Sequence, residues 1–310
     1  MRSALAVISA LFFSFCSRGK SPQGVNTSEQ SKSFGDTSLV VKTPISSIGA
    51  GFCAFPLVTA VKRGGRGTYN CNFHKTSYRF YLRNPQKKNG KVLVLLPGWN
   101  YPVMDWKNKT GVVDSALSWG FQVLMCDMGK SVYMDSVYSE AREDYKGFAT
   151  RTWLWDSVLA PVSQQIGMGN MILMGLSTGA RGAVLIGMEH QNEVGGVIAL
   201  SGDYFPNFDT TDKLMINSMG LYSQFKARWE KGRNDVRNLD GMPDFVYLAH
   251  GLRDTWVNPE HTLRLKKRFE EIQTTEILKV RVSPGLHDYD FWNEAGLEGL
   301  ELYKRFLSAN

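Results

Sequence analysis

Metal-binding side chains are scarce in this sequence. Five histidines and four cysteines are spread over 310 residues, with no His-Glu-x-x-His string and no Cys/His cluster at ligand spacing, so neither a metal nor an organic cofactor is implied. Long apolar runs are scarce as well. The run at the N-terminus, Ser3 to Phe15, is too short to cross a bilayer comfortably as a mature helix. The formal charge of +7 is carried by Lys and Arg in short groups, "VKRGGR", "PQKKNGK" and "LKKRF", beside turns and on a helix face. There is no continuous basic stripe and no RNA-binding signature, so these charges read as solvated surface and no nucleic-acid partner is expected. Internal repeats are absent. What the chain does have is 43% hydrophobic residues, enough to bury a full core in one large domain behind a short leader.

That leader has one early Arg, the short apolar run, then Cys16 and the charged Arg18 and Lys20, the layout of an export signal. Cys16 resembles the lipid-acceptor cysteine of bacterial lipoproteins, although Phe15 stands where that pattern has a small residue. A removed secretory leader and an uncleaved anchor are the alternatives. The expected organisation is a signal over 1–17, a flexible polar linker over 18–45 and the main domain over 46–310, in a protein of the periplasm or cell envelope with Cys16 as its membrane tether. Export would permit a Cys53–Cys71 bridge, whereas Cys126 in "FQVLMCDMG" reads as a buried strand thiol.

From about residue 50 the hydrophobic period alternates between strand-like and helix-like stretches. "YRFYLR" alternates, and a turn-forming "NPQKKNG" leads from it to the continuous run "KVLVLLPGW", a pair that reads as a hairpin entering a sheet core. Further strands are expected at "FQVLMCDMG", "NMILMG", "GGVIALSG", "DFVYLAHG" and "LKVRVSPG", with helices between them. The expected fold class is α/β, a mostly parallel sheet covered on both faces. Its ligand should lie beyond the carboxyl ends of the strands. The stretch at about 205–242 is longer than a usual connection and reads either as a small cap over that site or as helices packed on the body.

One of those strand ends carries Gly175-Leu176-Ser177-Thr178-Gly179, a Gly-x-Ser-x-Gly pattern. The pattern alone is weak, but its setting is specific. "MILM" supplies a strand, and Ala180, Gly182 and Ala183 begin a slim helix at once, so the serine sits on a sharp turn and projects its hydroxyl above the sheet. Glycines two residues away on either side let the backbones pass closely. Over residues from about 50 to 310 the chain resembles the α/β-hydrolase superfamily, and this turn is similar to that family's nucleophile elbow.

The resemblance implies a serine nucleophile followed by an acid and then a histidine. Asp254 in "HGLRDTWVNP" and His287 in "SPGLHDYDFW" stand in that order, each directly after an expected strand. Asp203 in "SGDYFP" is the rival acid, matching an arrangement in which the acid lies one strand earlier. His74, His190 and His261 fall in the hairpin or on helices, and His250, ahead of the acid, reads as a structural loop residue. For the oxyanion hole the resemblance implies the backbone N–H of Thr178 at the head of the new helix, and a second donor from "LLPGWNYP". That donor aligns best with the Trp99 N–H, with Asn100 as the alternative because Pro97 replaces the family's usual histidine.

The implied chemistry is hydrolysis of a carboxylic ester through an acyl-enzyme, without a cofactor. The loops resemble the esterase D-like branch, whose members take small-molecule, glycan or lipid esters and include acyltransferases with the same triad. A catalytically silent scaffold acting as a surface or binding protein is the reading of a different class. Aromatic residues in or beside the loops, Tyr101, Tyr133, Tyr204, Phe205, Trp256, Tyr289, Phe291 and Trp292, could accommodate an apolar group or serve in packing.

Overall fold

Five apolar runs set the architecture. β3 (Val92–Leu96), β4 (Gln122–Asp127), β5 (Met171–Leu176), β6 (Val194–Leu200) and β7 (Phe245–Gly251) are buried nearly from end to end, as strands covered on both faces must be. The structure, a computed structural model, describes residues 50–272 and 277–309, with side chains from residue 55 onward. The signal, Cys16, the linker and the side chain of Cys53 lie outside the described residues, while Cys71 is disulfide-bonded and Cys126 is a buried free thiol.

β1 (Gly67–Phe73), β2 (Thr76–Arg83) and β8 (Ile277–Ser283) complete a single eight-stranded sheet in the order β1-β2-β4-β3-β5-β6-β7-β8. From β4 to β8 every pairing is parallel. β1 and β2 form an antiparallel hairpin, and β2 runs antiparallel to β4. This corrects one expectation. The strand at Tyr78 to Arg83 does not form a hairpin with Val92–Leu96; its partners are β1 and β4, with Phe80 opposite Cys126. Alternation along β2 required one apolar face but did not say which neighbour would share it.

The helices are α1 (Ala50–Arg63), α2 (Asp105–Asn108), α3 (Val112–Ser118), α4 (Arg151–Leu154), α5 (Ala160–Ile166), α6 (Thr178–Glu189), α7 (Lys213–Met219), α8 (Lys226–Lys231), α9 (Glu260–Ile272) and α10 (Tyr289–Ala309). A π-helical turn at Trp155–Leu159 joins α4 to α5, so the helical stretch runs without a break from Arg151 to Ile166. Strand periodicity divides the core in two. Val92, Val94 and Leu96 face one cluster with Phe80, Leu173, Leu185 and Leu265. Leu93 and Leu95 face the other, with Trp106, Met174, Trp292 and Tyr303.

β3 is the switch point: the chain leaves it for β4 on one side and returns to β5 on the other. The connections beyond β3 and β5 therefore diverge and leave a crevice above the register pair Leu96 and Gly175.

The segment between β6 and β7 carries α7 and α8. Met215, Met219 and Trp229 there join Val132 and Met134 from the loop after β4 in a small separate cluster, which meets the ring of Trp99. Arg151 ties these segments together. Its fully buried guanidinium is bidentate to Glu189 at 2.9 and 2.6 Å and donates to Tyr133 O, Asn234 Oδ1 and Arg233 O at 3.2, 2.6 and 2.8 Å. All five donors are thereby used, the condition under which a buried cation is tolerated.

Candidate functional site

Ser177 follows the last residue of β5 and precedes the first of α6, with φ 54° and ψ −126°, a conformation a non-glycine residue rarely adopts. It is held there from both sides. Its N–H donates to Leu200 O at 2.8 Å, and its carbonyl accepts from Ala180 and Arg181 at 3.0 and 3.2 Å. The flanking glycines are steric necessities. A Cβ at Gly175 would stand 2.1 Å from Gly179 O, and one at Gly179 would stand 2.3 Å from Leu96 O.

The other two side chains arrive from the ends of β7 and β8. Leu252 N–H donates to Ser283 O and Arg253 N–H to Gly285 O, both at 2.9 Å, so the two loops are fastened side by side. His287 Nε2 is then 3.0 Å from Ser177 Oγ, and His287 Nδ1 is 2.6 Å from Asp254 Oδ2. Asp254 Oδ1 accepts from the Trp256 and Val257 N–H groups, each at 2.9 Å. Burial alone would raise the Asp254 carboxyl. Hydrogen bonds from His250, His287 and the Val257 N–H outweigh it and hold the group well below the ordinary carboxylate range. The edge of Trp292 packs on the His287 ring at 4.8 Å, while its Nε1–H donates to Ser201 Oγ at 3.1 Å. The imidazole is thus fixed by a carboxylate at one nitrogen and an indole on one face.

Thr178 is the first residue of α6, so its N–H has no intrahelical acceptor. Among the described residues neither the Thr178 nor the Trp99 N–H donates to another group. The Trp99 loop lies against the serine: a Cβ at Gly98 would be 2.9 Å from Ser177 Cβ. Tyr133 Oη–H donates to Pro97 O at 3.0 Å and Tyr101 N–H to Gly98 O at 3.2 Å. These bonds fix the Gly98–Trp99 peptide with its carbonyl turned to Tyr101 and its N–H on the opposite side. The Asn100 N–H is committed to Gly129 O at 2.8 Å, which leaves the Trp99 N–H as the unengaged backbone donor of this pair.

Asp203, the rival acid, is apart from His287. Arg181 Nη1 donates to its backbone carbonyl at 2.9 Å, and its Oδ1 has no partner among the described residues. Burial pushes its carboxyl up to about 6, against the pull of Arg181. Asp288 Oδ1 instead accepts from Phe291 N–H at 3.0 Å, at the start of α10. Of the loop aromatics, Tyr133, Tyr204, Phe205, Phe291 and Trp292 are buried packing residues, Tyr101 and Tyr289 are half-buried, and Trp256 is 83% exposed.

Of the remaining histidines, His74 is exposed, His190 is half-buried, and His250 and His261 are buried. His190 stacks on Trp155 at 3.6 Å, and His74 meets the Phe73 ring edge-on at 4.4 Å. His250 is not in a loop: it lies in β7, fully buried, with Nε2 3.2 Å from Asp254 Oδ2. His261 Nδ1 accepts from Tyr204 and Phe205 N–H at 3.1 and 3.3 Å. Burial, with Arg181 and Arg264 among the cationic neighbours that add to it, lowers its imidazole to about 3.

That depression has a consequence for stability. Unfolded, the same group protonates near 6.5, so its contribution is complete above that pH and is lost as pH falls toward about 3. His261→Asn keeps an acceptor for the two N–H groups without the titration. Urea unfolding at pH 7 and pH 4 should therefore show a smaller acid loss in the variant, by about 3 kcal/mol. Equal losses in the two proteins would refute this origin. Asp203 titrates in the opposite sense but is common to both, so it cancels.

No protein-family model and no curated protein matches the chain. Solved structures do. S-formylglutathione hydrolase from Agrobacterium tumefaciens is 17% identical, with TM-score 0.59 over 76% of this chain and 93% of that one. The fluorophosphonate-binding serine hydrolase F of Staphylococcus aureus is 15% identical, with TM-score 0.57 over 76% and 97%. Est1E from Butyrivibrio proteoclasticus is 15% identical, with TM-score 0.56 over 79% and 100%. With its switch point at β3, its parallel strands and its serine-bearing turn after β5, the chain has the α/β-hydrolase fold.

Proposed function

We propose that the chain is a serine hydrolase of carboxylic esters. The hydrogen-bonded sequence from Ser177 Oγ through His287 to Asp254, at the head of α6, carries the reading. A serine hydroxyl is a poor nucleophile at neutral pH and needs a base within reach. His287 Nε2 accepts the proton as Ser177 Oγ attacks the carbonyl carbon, and Asp254 holds the Nδ1–H tautomer and offsets the charge of the imidazolium. The Thr178 and Trp99 N–H groups receive the oxyanion. His287 then returns the proton to the departing alcohol, and water, deprotonated by the same imidazole, releases the acid from the acyl-enzyme. The neighbours' names, a serine hydrolase and an S-formylglutathione hydrolase, support acyl transfer to water. Export, the 1–17 signal and the 18–45 linker belong to the same proposal on the sequence alone.

A fluorophosphonate probe tests the assignment. The expected result is one adduct on Ser177, absent in Ser177→Ala and much reduced in His287→Ala. No adduct on the native protein, or an undiminished one in Ser177→Ala, would overturn it. Turnover of a panel of aryl esters and sugar acetates, with and without an acceptor alcohol, then separates hydrolysis from acyl transfer.

A further inference from the structure

Two imidazoles face Asp254 Oδ2, and the proposed reaction needs only one of them. His287 Nδ1 approaches at 2.6 Å, and His250 Nε2, from β7, at 3.2 Å. The second ring is not free to choose its role. His250 Nε2 also lies 2.9 Å from Val257 O, and a carbonyl can only accept, so Nε2 carries a proton. In the neutral ring Nδ1 is then an acceptor, and Thr262 Oγ1 on α9 stands 2.8 Å away to donate to it. The ring is fully buried, with both nitrogens engaged.

We infer that His250 is a positioning residue for the proposed hydrolase: its Nε2–H, shared between Val257 O and Asp254 Oδ2, fixes the carboxylate that orients His287. The inference rests on the triad reading and extends it by two groups, Thr262 and His250. Trp256 and Val257 N–H donate to Oδ1 and His287 to Oδ2, so the His250 Nε2–H, 3.2 Å from Oδ2, is the fourth polar hydrogen directed at Asp254. Two consequences follow. The carboxylate cannot rotate away when His287 becomes an imidazolium. A carboxylate already receiving a second N–H is also a weaker base, so the proton stays on His287 Nδ1 while Nε2 exchanges one with Ser177 and the leaving group. His250 gives up no proton at any stage.

The variants separate positioning from packing. His250→Phe keeps a flat ring of somewhat larger size and removes the donor, and should lower kcat on an aryl ester about 10- to 100-fold with KM nearly unchanged. It should also move the alkaline-rising limb of kcat/KM to higher pH, because a less satisfied Asp254 stabilises the imidazolium of His287 more strongly. The titratable groups facing this pair are Asp254 and His287 from the strand-end loops, His261 from α9, Tyr204 from the segment after β6, and Tyr101, which feels the Asp254 charge. The substitution replaces none of these side chains. His250→Gln places an amide N–H near the Nε2 position and should restore both kcat and the limb to near the native values.

Should His250→Phe fail to fold, Thr262→Val serves. It leaves the Nε2–H held by Val257 O but removes the Nδ1 anchor that sets the ring's orientation toward Asp254, and should give the same changes in weaker form. An unchanged kcat and pH limb in a folded His250→Phe or Thr262→Val protein overturns the inference. So does a folded His250→Gln protein as impaired as His250→Phe, which would assign the ring to packing. Probe labelling of Ser177 in the native protein is run alongside. Its absence sinks the triad reading and this inference together, whereas labelling with unaffected His250 variants sinks the inference alone.

Discussion

Ser177→Ala should lower kcat on an aryl ester by on the order of 10⁶-fold, His287→Ala by a similar factor, and the double variant by no more than either alone. The lack of additivity is the diagnostic part. Once the hydroxyl is gone, His287 has no proton to accept. Once the imidazole is gone, Ser177 is an ordinary alcohol, and either loss removes the same pathway. Asp254→Asn should fall by about 10⁴-fold, because an amide can donate to Nδ1 and so favour the wrong tautomer. The activity remaining in each variant reports substrate binding and the Thr178 and Trp99 donors, which these substitutions leave in place. Steady-state kinetics on purified protein checks all four values. Losses that multiply in the double variant would mean that Ser177 and His287 act separately, and the mechanism would have to be abandoned.

Gly179→Ala is expected to be among the most damaging single methyl groups in the described residues. Its Cβ would lie 2.3 Å from Leu96 O and 2.5 Å from Pro97 O, both backbone atoms of the neighbouring strand end, so no side chain can turn aside. Relief requires α6 to lift from β3, and both are buried along their length. Overpacking of this kind ordinarily costs about 1–3 kcal/mol. Two immovable carbonyls place this position beyond that range, at more than about 4 kcal/mol. Urea titration should find Gly179→Ala largely unfolded or shifted by that amount, and any folded fraction should react poorly with a fluorophosphonate. A variant with native stability would mean that the elbow has room the geometry denies it.

Where a residue type is dictated by contact with backbone, the sequence was informative. Gly175 and Gly179 could be understood in advance because only glycine fits so close a passage, and Asp254 and His287 because each follows a strand-like apolar run, buried in β7 and half-exposed in the edge strand β8. The two core faces were likewise present in the continuous runs. Partner choice was not. The alternation of Tyr78 to Arg83 demands a half-buried strand and is equally consistent with β3, β1 or β4 beside it; the crossover at the switch point decides. His250 shows the same limit on a smaller scale. Its position four residues before Asp254 suggested a bystander, yet a strand residue and a loop residue at that separation can face the same atom. Trp292 was visible only as one aromatic among eight, since nothing in its neighbours marks it as the ring that braces His287. Arg151 had no signal at all, because its acceptors come from residues 133, 189, 233 and 234.

That arginine also bears on how such a scaffold can change its chemistry. The walls around a strand-end site are often treated as interchangeable parts, free to be exchanged while the sheet stays constant. Here the segment after β4 and the segment before β7 share one guanidinium, so grafting in a foreign version of either would leave part of a buried cation's hydrogen bonds unmet, with only Glu189 still paired to it. New specificity in this chain would have to arise by replacing both walls together, or by first retiring Arg151 and Glu189 as a pair.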